Sequence, residues 1–318
     1  MKTLEEFRQF YETSLKTPLN ELEAKRKQVV YNITIALLIT FAAFSFLSIF
    51  MGPGALFIFP FAAIGILIVV RSGLSKDYVR EFKAKVIQQI VKFIDQNLTY
   101  NNSAFIPKDI FMDSQIFKVQ PDRYRGDDFV SGLIGKTQIA FSEVHAEYKT
   151  ETTDNHGHRQ THWHNIFKGL FILADFNKNF QGKTVVLPDT AERLFWNLGK
   201  MFQSWNLMRG QLIQLEDPEF EKLFAVYGDN QIEARYILST SLMKRITDFK
   251  KKSGKQIYLS FVGSKIFVGI SYSKDLFEPR IFKTLLDFAP IQEYYEDLQL
   301  ALDVIDDLNL NTRIWSKQ

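Results

Sequence analysis

Two apolar runs, residues 29–51 and 55–70, dominate the polarity pattern; they are joined by Met51-Gly52-Pro53-Gly54 and flanked by Lys25-Arg26-Lys27 and Arg71. The first has about 23 uncharged residues, and at about 1.5 Å per residue it reaches roughly 34 Å, enough to cross a hydrocarbon core. The second has about 16, or roughly 24 Å, and spans only by borrowing Gly54 and residues 72–74 or by thinning the bilayer locally. A core helix broken at Pro60 is the competing reading for it, but Phe, Ile, Leu and Val occupy almost every other position and favour a span. A cleaved signal peptide is a poor match, because the first run is too long and starts too far from Met1. Cations stand on both outer flanks (Lys25, Arg26, Lys27; Arg71, Lys76, Arg80) and the connecting turn has none. Both flanks therefore read as cytoplasmic, and the expectation is a two-helix transmembrane hairpin with both chain ends on the cytoplasmic side.

Before the runs, Leu4, Phe7, Tyr11 and Leu15 recur at helical spacing, with Leu19 and Leu22 resuming after Pro18. After them, Tyr78, Phe82, Val86, Ile90, Phe93 and Ile94 mark one face of a helix. Its other face carries Lys76, Arg80, Lys83 and Lys85, which suits either an anionic leaflet or plain solvent. From about Phe105 the period changes to that of strands. In residues 138–148 the apolar parity switches from Ile139 and Phe141 to Val144, Ala146 and Tyr148, predicting a bulge or twist near Ser142. Residues 166–174 are apolar on both parities, as in a strand covered on both sides, and residues 183–187 form a further strand.

Asp189-Thr190-Ala191-Glu192 has capping-box spacing and predicts a helix bearing Leu194, Leu198, Met201, Phe202 and Trp205. Residues 211–215 and 222–226 read as strands. A helix with Leu242, Met243, Ile246 and Phe249 ends at Gly254, and a hairpin then pairs Ile257, Leu259 and Phe261 with Ile266, Val268 and Ile270. The final helix presents Ile291, Tyr294, Leu298, Ala301, Leu302, Ile305 and Leu308. Strands and helices come in blocks, so the fold class is α+β, with mostly antiparallel strands and amphipathic helices behind the hairpin. The implied divisions are a cytoplasmic helix at 1–28, the hairpin at 29–70, a juxtamembrane helix at 71–98 and a cytoplasmic α+β domain at 99–318, with a possible subdivision near 210.

The 318 residues are 46% hydrophobic and 24% charged, enough for a full core beside the anchor. A net charge of +3 without an aromatic-interleaved basic stripe argues against nucleic acid. The absence of cysteine excludes disulfides, thiol catalysis and cysteine-zinc sites. Asn97-Leu98-Thr99 and Asn101-Asn102-Ser103 would be glycosylation acceptors only in a eukaryotic lumen.

All five histidines, His145, His156, His158, His162 and His164, fall in one predicted hairpin. Folding it about Asn155-His156 puts Glu147 and Lys149 opposite His164 and His162, on the polar face with His145; Val144, Ala146, Tyr148, Trp163 and Phe167 then face inward. His145, Glu147, His162 and His164 are the candidate ligands for zinc or another borderline metal, or a group titrating near pH 6.5. The same residues also read as cross-strand polar pairs. That reading is preferred, because the spacing matches no zinc signature and no helical His-Glu-x-x-His is present.

Gly135-Lys136-Thr137 and Gly182-Lys183-Thr184 resemble the end of a phosphate-binding loop but lack its first glycine, Val130 and Asn177 standing there. Both read as turns before strands. Asp175, Asp189, Glu216, Asp217, Glu219 and Glu221 cluster near strand ends, where caps and turns explain them as well as acid-base work does. No catalytic residue and no cofactor emerges, and an enzyme is the less favoured class. Lys244, Arg245, Lys250, Lys251, Lys252 and Lys255 form a basic patch suited to anionic lipid or to a helix C-terminus. The last helix is acidic, with Glu293, Glu296, Asp297, Asp303, Asp306 and Asp307.

Three blocks carry a resemblance: Ile166-Phe167-Lys168-Gly169-Leu170-Phe171 with Ala174-Asp175-Phe176-Asn177-Lys178; Gly182 to Asp189; and Asp217-Pro218-Glu219-Phe220-Glu221-Lys222 to Tyr227 with Gln231, Glu233, Ala234, Arg235, Tyr236, Ile237 and Leu238. Together with the paired membrane segment, and over residues from about 20 to 288, the chain resembles the bacterial family called domain of unknown function 3137. The resemblance implies a bacterial inner membrane and a LemA-type membrane protein as partner, and it assigns no catalytic residue. The function expected is a membrane protein whose cytoplasmic domain binds a protein partner or lipid headgroups. A membrane-tethered metal-dependent hydrolase using the histidine hairpin is the alternative, and a scaffold oligomerising through its anchor is the third reading.

Overall fold

Apolar residues on both parities of a strand require cover on both faces, and the centre of this molecule is built that way. A computed structural model describes residues 2–72, 74–153, 157–176, 179–189 and 210–310. The predicted helix with Leu194 and Trp205 lies outside the described residues. The chain divides into two units, one formed by Met1–Ile94 with Phe277–Glu296, the other by Asp95–Leu276 with Asp297–Gln318.

The first unit is helical. Thr3 caps α1 (Leu4–Phe10) in a reciprocal box with Glu6, satisfying two of the free N–H groups at the helix start. A π turn at Tyr11–Leu15 leads into α2 (Lys16–Met51), whose third residue is Pro18. Pro18 thus lies inside a helix that runs unbroken from Leu4 to Phe50, directly after the π turn, so the helix continues where the sequence suggested a pause. Among the described residues one helix, Leu4–Phe50, is long and apolar enough to cross a membrane.

The second apolar run differs from expectation. A 3-10 turn at Pro53–Ile58 absorbs its start, leaving α3 (Phe59–Ser72), whose 14 residues reach only about 21 Å. Phe41 and Phe44 of α2 meet Phe59 edge-on, with ring centroids 5.2 and 6.5 Å apart.

Helix α4 (Leu74–Phe82), a π turn at Lys83–Ile87 and α5 (Gln88–Ile94) follow, with Tyr78, Phe82, Val86 and Ile90 buried as their spacing predicts. Lys83 departs from its expected basic face: it is buried and paired with Glu278 at 2.8 Å. A buried ammonium needs such a partner to offset its desolvation. Phe7 stacks on Tyr295 at 4.1 Å and Phe10 on Phe93 at 4.4 Å, which closes the unit's core.

The second unit is a nine-stranded sheet whose described pairings are all antiparallel, confirming an α+β fold. Its strands are β1 (Thr99–Asn101), β2 (Arg123–Ile134), β3 (Thr137–Thr153), β4 (Arg159–Asp175), β5 (Lys183–Pro188), β6 (Gln211–Leu212), β7 (Phe224–Gly228), β8 (Ile257–Val262) and β9 (Lys265–Ser271). They are ordered β1-β2-β3-β4-β9-β8-β5-β7-β6. The hairpin β8–β9 has the predicted register, with Leu259 opposite Val268 and a left-handed Gly263 in its turn. On one face Val144, Ala146, Phe167, Phe171, Val185, Tyr258 and Phe267 pack with Ile106, Phe111, Ile116 and Phe117 from the segment around α6 (Lys108–Asp113). On the other, the row Ile172, Val268, Leu259 and Val186 is buried throughout.

The irregularity expected near Ser142 is present but is carried by β2: β3 pairs with β4 without interruption from Ile139 to Ala146, while β2 holds an extra residue opposite Ser142, between Asp127 and Val130. The parity switch arises because the two ends of β3 are covered on opposite faces. A second irregularity lies in β4 at Ile166.

Helices α7 (Pro218–Glu221), α8 (Gln231–Ile237) and α9 (Thr240–Ser253) are capped by Asp217, Asn230 and Ser239 respectively, and α9 ends at left-handed Gly254. Helix α10 (Phe288–Asp307) follows. Its later residues Leu298, Ala301, Leu302 and Ile305 are buried in this unit.

Candidate functional site

The Ile166 bulge decides the histidine hairpin. It makes Glu147 oppose Asn165, Tyr148 oppose His164, Lys149 oppose Trp163 and Thr150 oppose His162. Directly opposed side chains share a face, so His162 and His164 join Tyr148, while His145 and Glu147 lie on the reverse side. The expected set of four is thus divided between two faces of the sheet, and Trp163 faces outward rather than in.

Each candidate ligand has a local partner. His164 stacks on Tyr148 at 4.8 Å and its Nε2 lies 2.8 Å from Thr150 Oγ1. His162 Nε2 lies 3.4 Å from Thr152 Oγ1. Arg125 donates to His145 Nδ1 at 2.7 Å, and since guanidinium is never an acceptor, the lone pair of Nδ1 is occupied. Burial, with Arg125 second, pushes the His145 pKa below its ordinary value. Glu147 is met by Arg123 at 3.3 Å, and Arg123 lies 3.8 Å over the Trp163 ring. This is the geometry of cross-strand polar and cation–π pairing. Zinc titrated calorimetrically into the full chain is expected to release the same heat in the parent and in His162→Ala/His164→Ala; a site lost in the double variant would contradict this arrangement.

The other motifs take structural roles. Gly135 is the left-handed residue of the β2–β3 turn. Gln181 and Gly182 donate their backbone N–H groups to Glu233 at 2.9 Å. Asp217 caps α7, and Glu221 accepts from Leu215 N–H at 2.9 Å. Half of the basic patch is ion-paired within its own unit: Lys252 pairs with Asp303 at 2.6 Å and Asp307 at 2.9 Å, Lys251 with Glu219, and Lys244 with Asp248 at 3.2 Å.

Sequence spacing did not reveal the convergence of Asp127, Asp128 and Glu143. The β2 bulge carries Asp128 in a left-handed conformation, φ 58°, and buries it completely. Asp127 opposes Glu143 across the ladder, and carboxylate oxygens of all three lie within 4.8 Å of one another. Glu143 Oε2 accepts the Leu276 N–H at 2.7 Å, and Asp128 accepts from the Tyr100 hydroxyl. Burial first, and then Asp127, Asp128 and Asp275, push the Glu143 pKa up to about 8, against the Leu276 N–H, which favours the anion. Glu143 is therefore mostly a neutral acid at pH 7. These three carboxyl groups have the spacing a cation would need, but a proton on Glu143 already relieves their crowding. Burial of Asp128 and Glu143 keeps both from meeting a substrate directly. The only trace of the cluster in the sequence is the adjacent pair Asp127-Asp128, which gives no hint of Glu143.

No curated protein matches this chain. The crystal structure of the mycobacterial trehalose monomycolate transport factor A, TtfA, is similar at 9% identity and a TM-score of 0.30, over 71% of this chain and 94% of that one. A likeness at that level bears on neither mechanism nor partner. The family model described as "Protein of unknown function (DUF3137)" matches residues 165–310, from the second half of the histidine hairpin to the end of the last helix. Over these residues, a little under half of the chain, the sequence matches the DUF3137 family model.

Proposed function

We propose that this protein is anchored in a bacterial inner membrane by two spans, the long helix α2 and the shorter run through α3, and that its α+β unit binds a protein partner or lipid headgroups. The single observation that carries the proposal is the apolar part of the helix Leu4–Phe50. Its residues Leu38, Ile39, Phe41, Phe46, Ile49 and Phe50 are all exposed, and that much contiguous apolar surface calls for lipid. The second span fits the cations outside both runs and the Phe41 and Phe44 contacts with Phe59, with the bilayer thinning to meet its short helix. A binding role is favoured over turnover by the histidines' engagement in cross-strand pairs and by the inaccessibility of the buried acids. The resemblance makes a LemA-type membrane protein the partner class of choice.

Alkaline phosphatase fused after Gln318 is expected to be inactive in cells, with a fusion at Gly52 active. Activity at Gln318 would overturn the two-span topology. Photocrosslinking of the full chain in native membranes is expected to yield an adduct with a LemA-type protein, and adducts with lipid alone would remove the protein partner.

A further inference from the structure

Within the first unit, the segment Phe277–Glu296 is fastened to the foot of the apolar helix. Arg26, three residues before the run that begins at Val29, donates from Nη1 to the Ile281 carbonyl at 2.8 Å and holds Glu23 through two bonds of 2.8 and 2.7 Å. Glu23 in turn accepts the Leu285 N–H at 3.0 Å, and the Tyr11 hydroxyl donates to the Leu286 carbonyl at 2.9 Å. Glu23 and Leu285 are buried. Between these fixed points the loop turns Phe282 outward, 70% exposed, with Lys283 beside it. A lone exposed phenylalanine is ordinary on a protein surface. This one is distinguished by where it is held.

From Arg26 to the apolar residues at 29 is about 4.5 Å along a helix, and to Tyr31 about 7.5 Å. The polar layer on each side of a hydrocarbon core is roughly 5–7 Å deep. Tyr31 is 63% exposed and has the chemistry of a residue at the membrane–water boundary. Arg26 thus holds the Phe282 loop level with the headgroups of the leaflet that the helix enters.

We infer that the loop at Arg280–Lys283 is a second membrane contact, in which Phe282 inserts into the interfacial layer and Lys283 meets the phosphates of anionic lipid. The inference rests on the bilayer anchoring proposed above. Its occupant is the lipid surface surrounding α2, because the side chains of Arg26 and Glu23, in the last turns before the apolar run, hold the loop's backbone by hydrogen bonds. An apolar side chain set outward by a hydrogen-bonded loop loses little freedom on insertion, and a cation next to it adds attraction to anionic headgroups.

The chain has no cysteine, so single-cysteine labelling is clean. Full-length Phe282→Cys, Thr13→Cys and Leu38→Cys would each carry an environment-sensitive fluorophore in phosphatidylcholine–phosphatidylglycerol vesicles containing nitroxide-labelled lipid. Leu38 marks the span, and Thr13 is an exposed site in the same unit, about 24 Å along the helix before Val29. Quenching at 282 is expected to exceed that at 13 by about twofold or more and to fall when Lys283→Glu is added. Quenching at 38 with none at 282 would overturn the loop contact while leaving the anchor intact. No quenching at 38 would overturn the anchoring itself and the loop contact with it. Undiminished quenching in Lys283→Glu would refute the phosphate pairing.

Discussion

Gly169→Ala is expected to destabilise the α+β unit by roughly 3–5 kcal/mol, the sum of backbone strain and overpacking in a fully covered strand. Gly169 lies in β4 with φ 148°, and a Cβ built there would stand 2.0 Å from the Ile270 carbonyl oxygen and 2.9 Å from the Tyr272 nitrogen. Both obstacles are backbone, and neither can rotate away. Val144 and Ser271 flank Gly169 across the ladder, so the strand cannot shift without breaking the register on one side. Thermal unfolding of the full chain in detergent, followed by near-UV circular dichroism, should show Tm lower by several degrees or more. Gly263→Ala is the comparison: its φ is 60° but nothing lies within 4 Å, so only the conformational cost of about 1 kcal/mol applies. Equal losses in the two variants would refute the close approach at Gly169.

The second large effect is a stability that falls as pH rises from about 4.5 to above 8. The folded Glu143 holds its proton to about pH 8, whereas an unfolded glutamate releases it near 4.5. The folded chain thus binds more protons across this window. Its contribution is complete below pH 4.5 and is lost as pH climbs through 8. At about 1.4 kcal/mol per tenfold, the full swing is roughly 5 kcal/mol as an upper bound. The groups facing Glu143 are Asp127, Asp128 and Asp275, all of which oppose its ionisation, and the Leu276 N–H, which favours it. Glu143→Gln keeps an acceptor for that N–H and supplies a permanent donor to the aspartates. Its unfolding midpoint should be flatter between pH 5 and 8.5 and should exceed the parent's at the alkaline end. Parallel pH profiles for parent and variant would place the proton elsewhere.

Much of the α+β unit was legible because local pattern and tertiary environment agree. The β8–β9 hairpin, the apolar face and Gly254 end of α9, and the doubly covered β4 all follow from period and turn residues, which act over a few neighbours. The candidate sites were less legible. A bulge shifts one strand by a single residue, and because side chains alternate with period two, that shift moves every residue beyond it to the other face. Ile166 therefore separated His162 and His164 from His145 and Glu147, and no pattern around Ile166 announces a bulge.

Alone, the sequence determined the apolar run and the charges flanking it, the α+β class and the strand content, since hydropathy and periodicity are properties of contiguous residues. Tertiary structure decided which distant residues meet. It buried Lys83 against Glu278, paired Lys252 of the basic patch with Asp303 and Asp307, brought Glu143 to Asp127 and Asp128, and clamped the Phe282 loop to Arg26. Those pairings depend on strand register and on contacts between residues up to hundreds of positions apart, and these are properties of the folded chain.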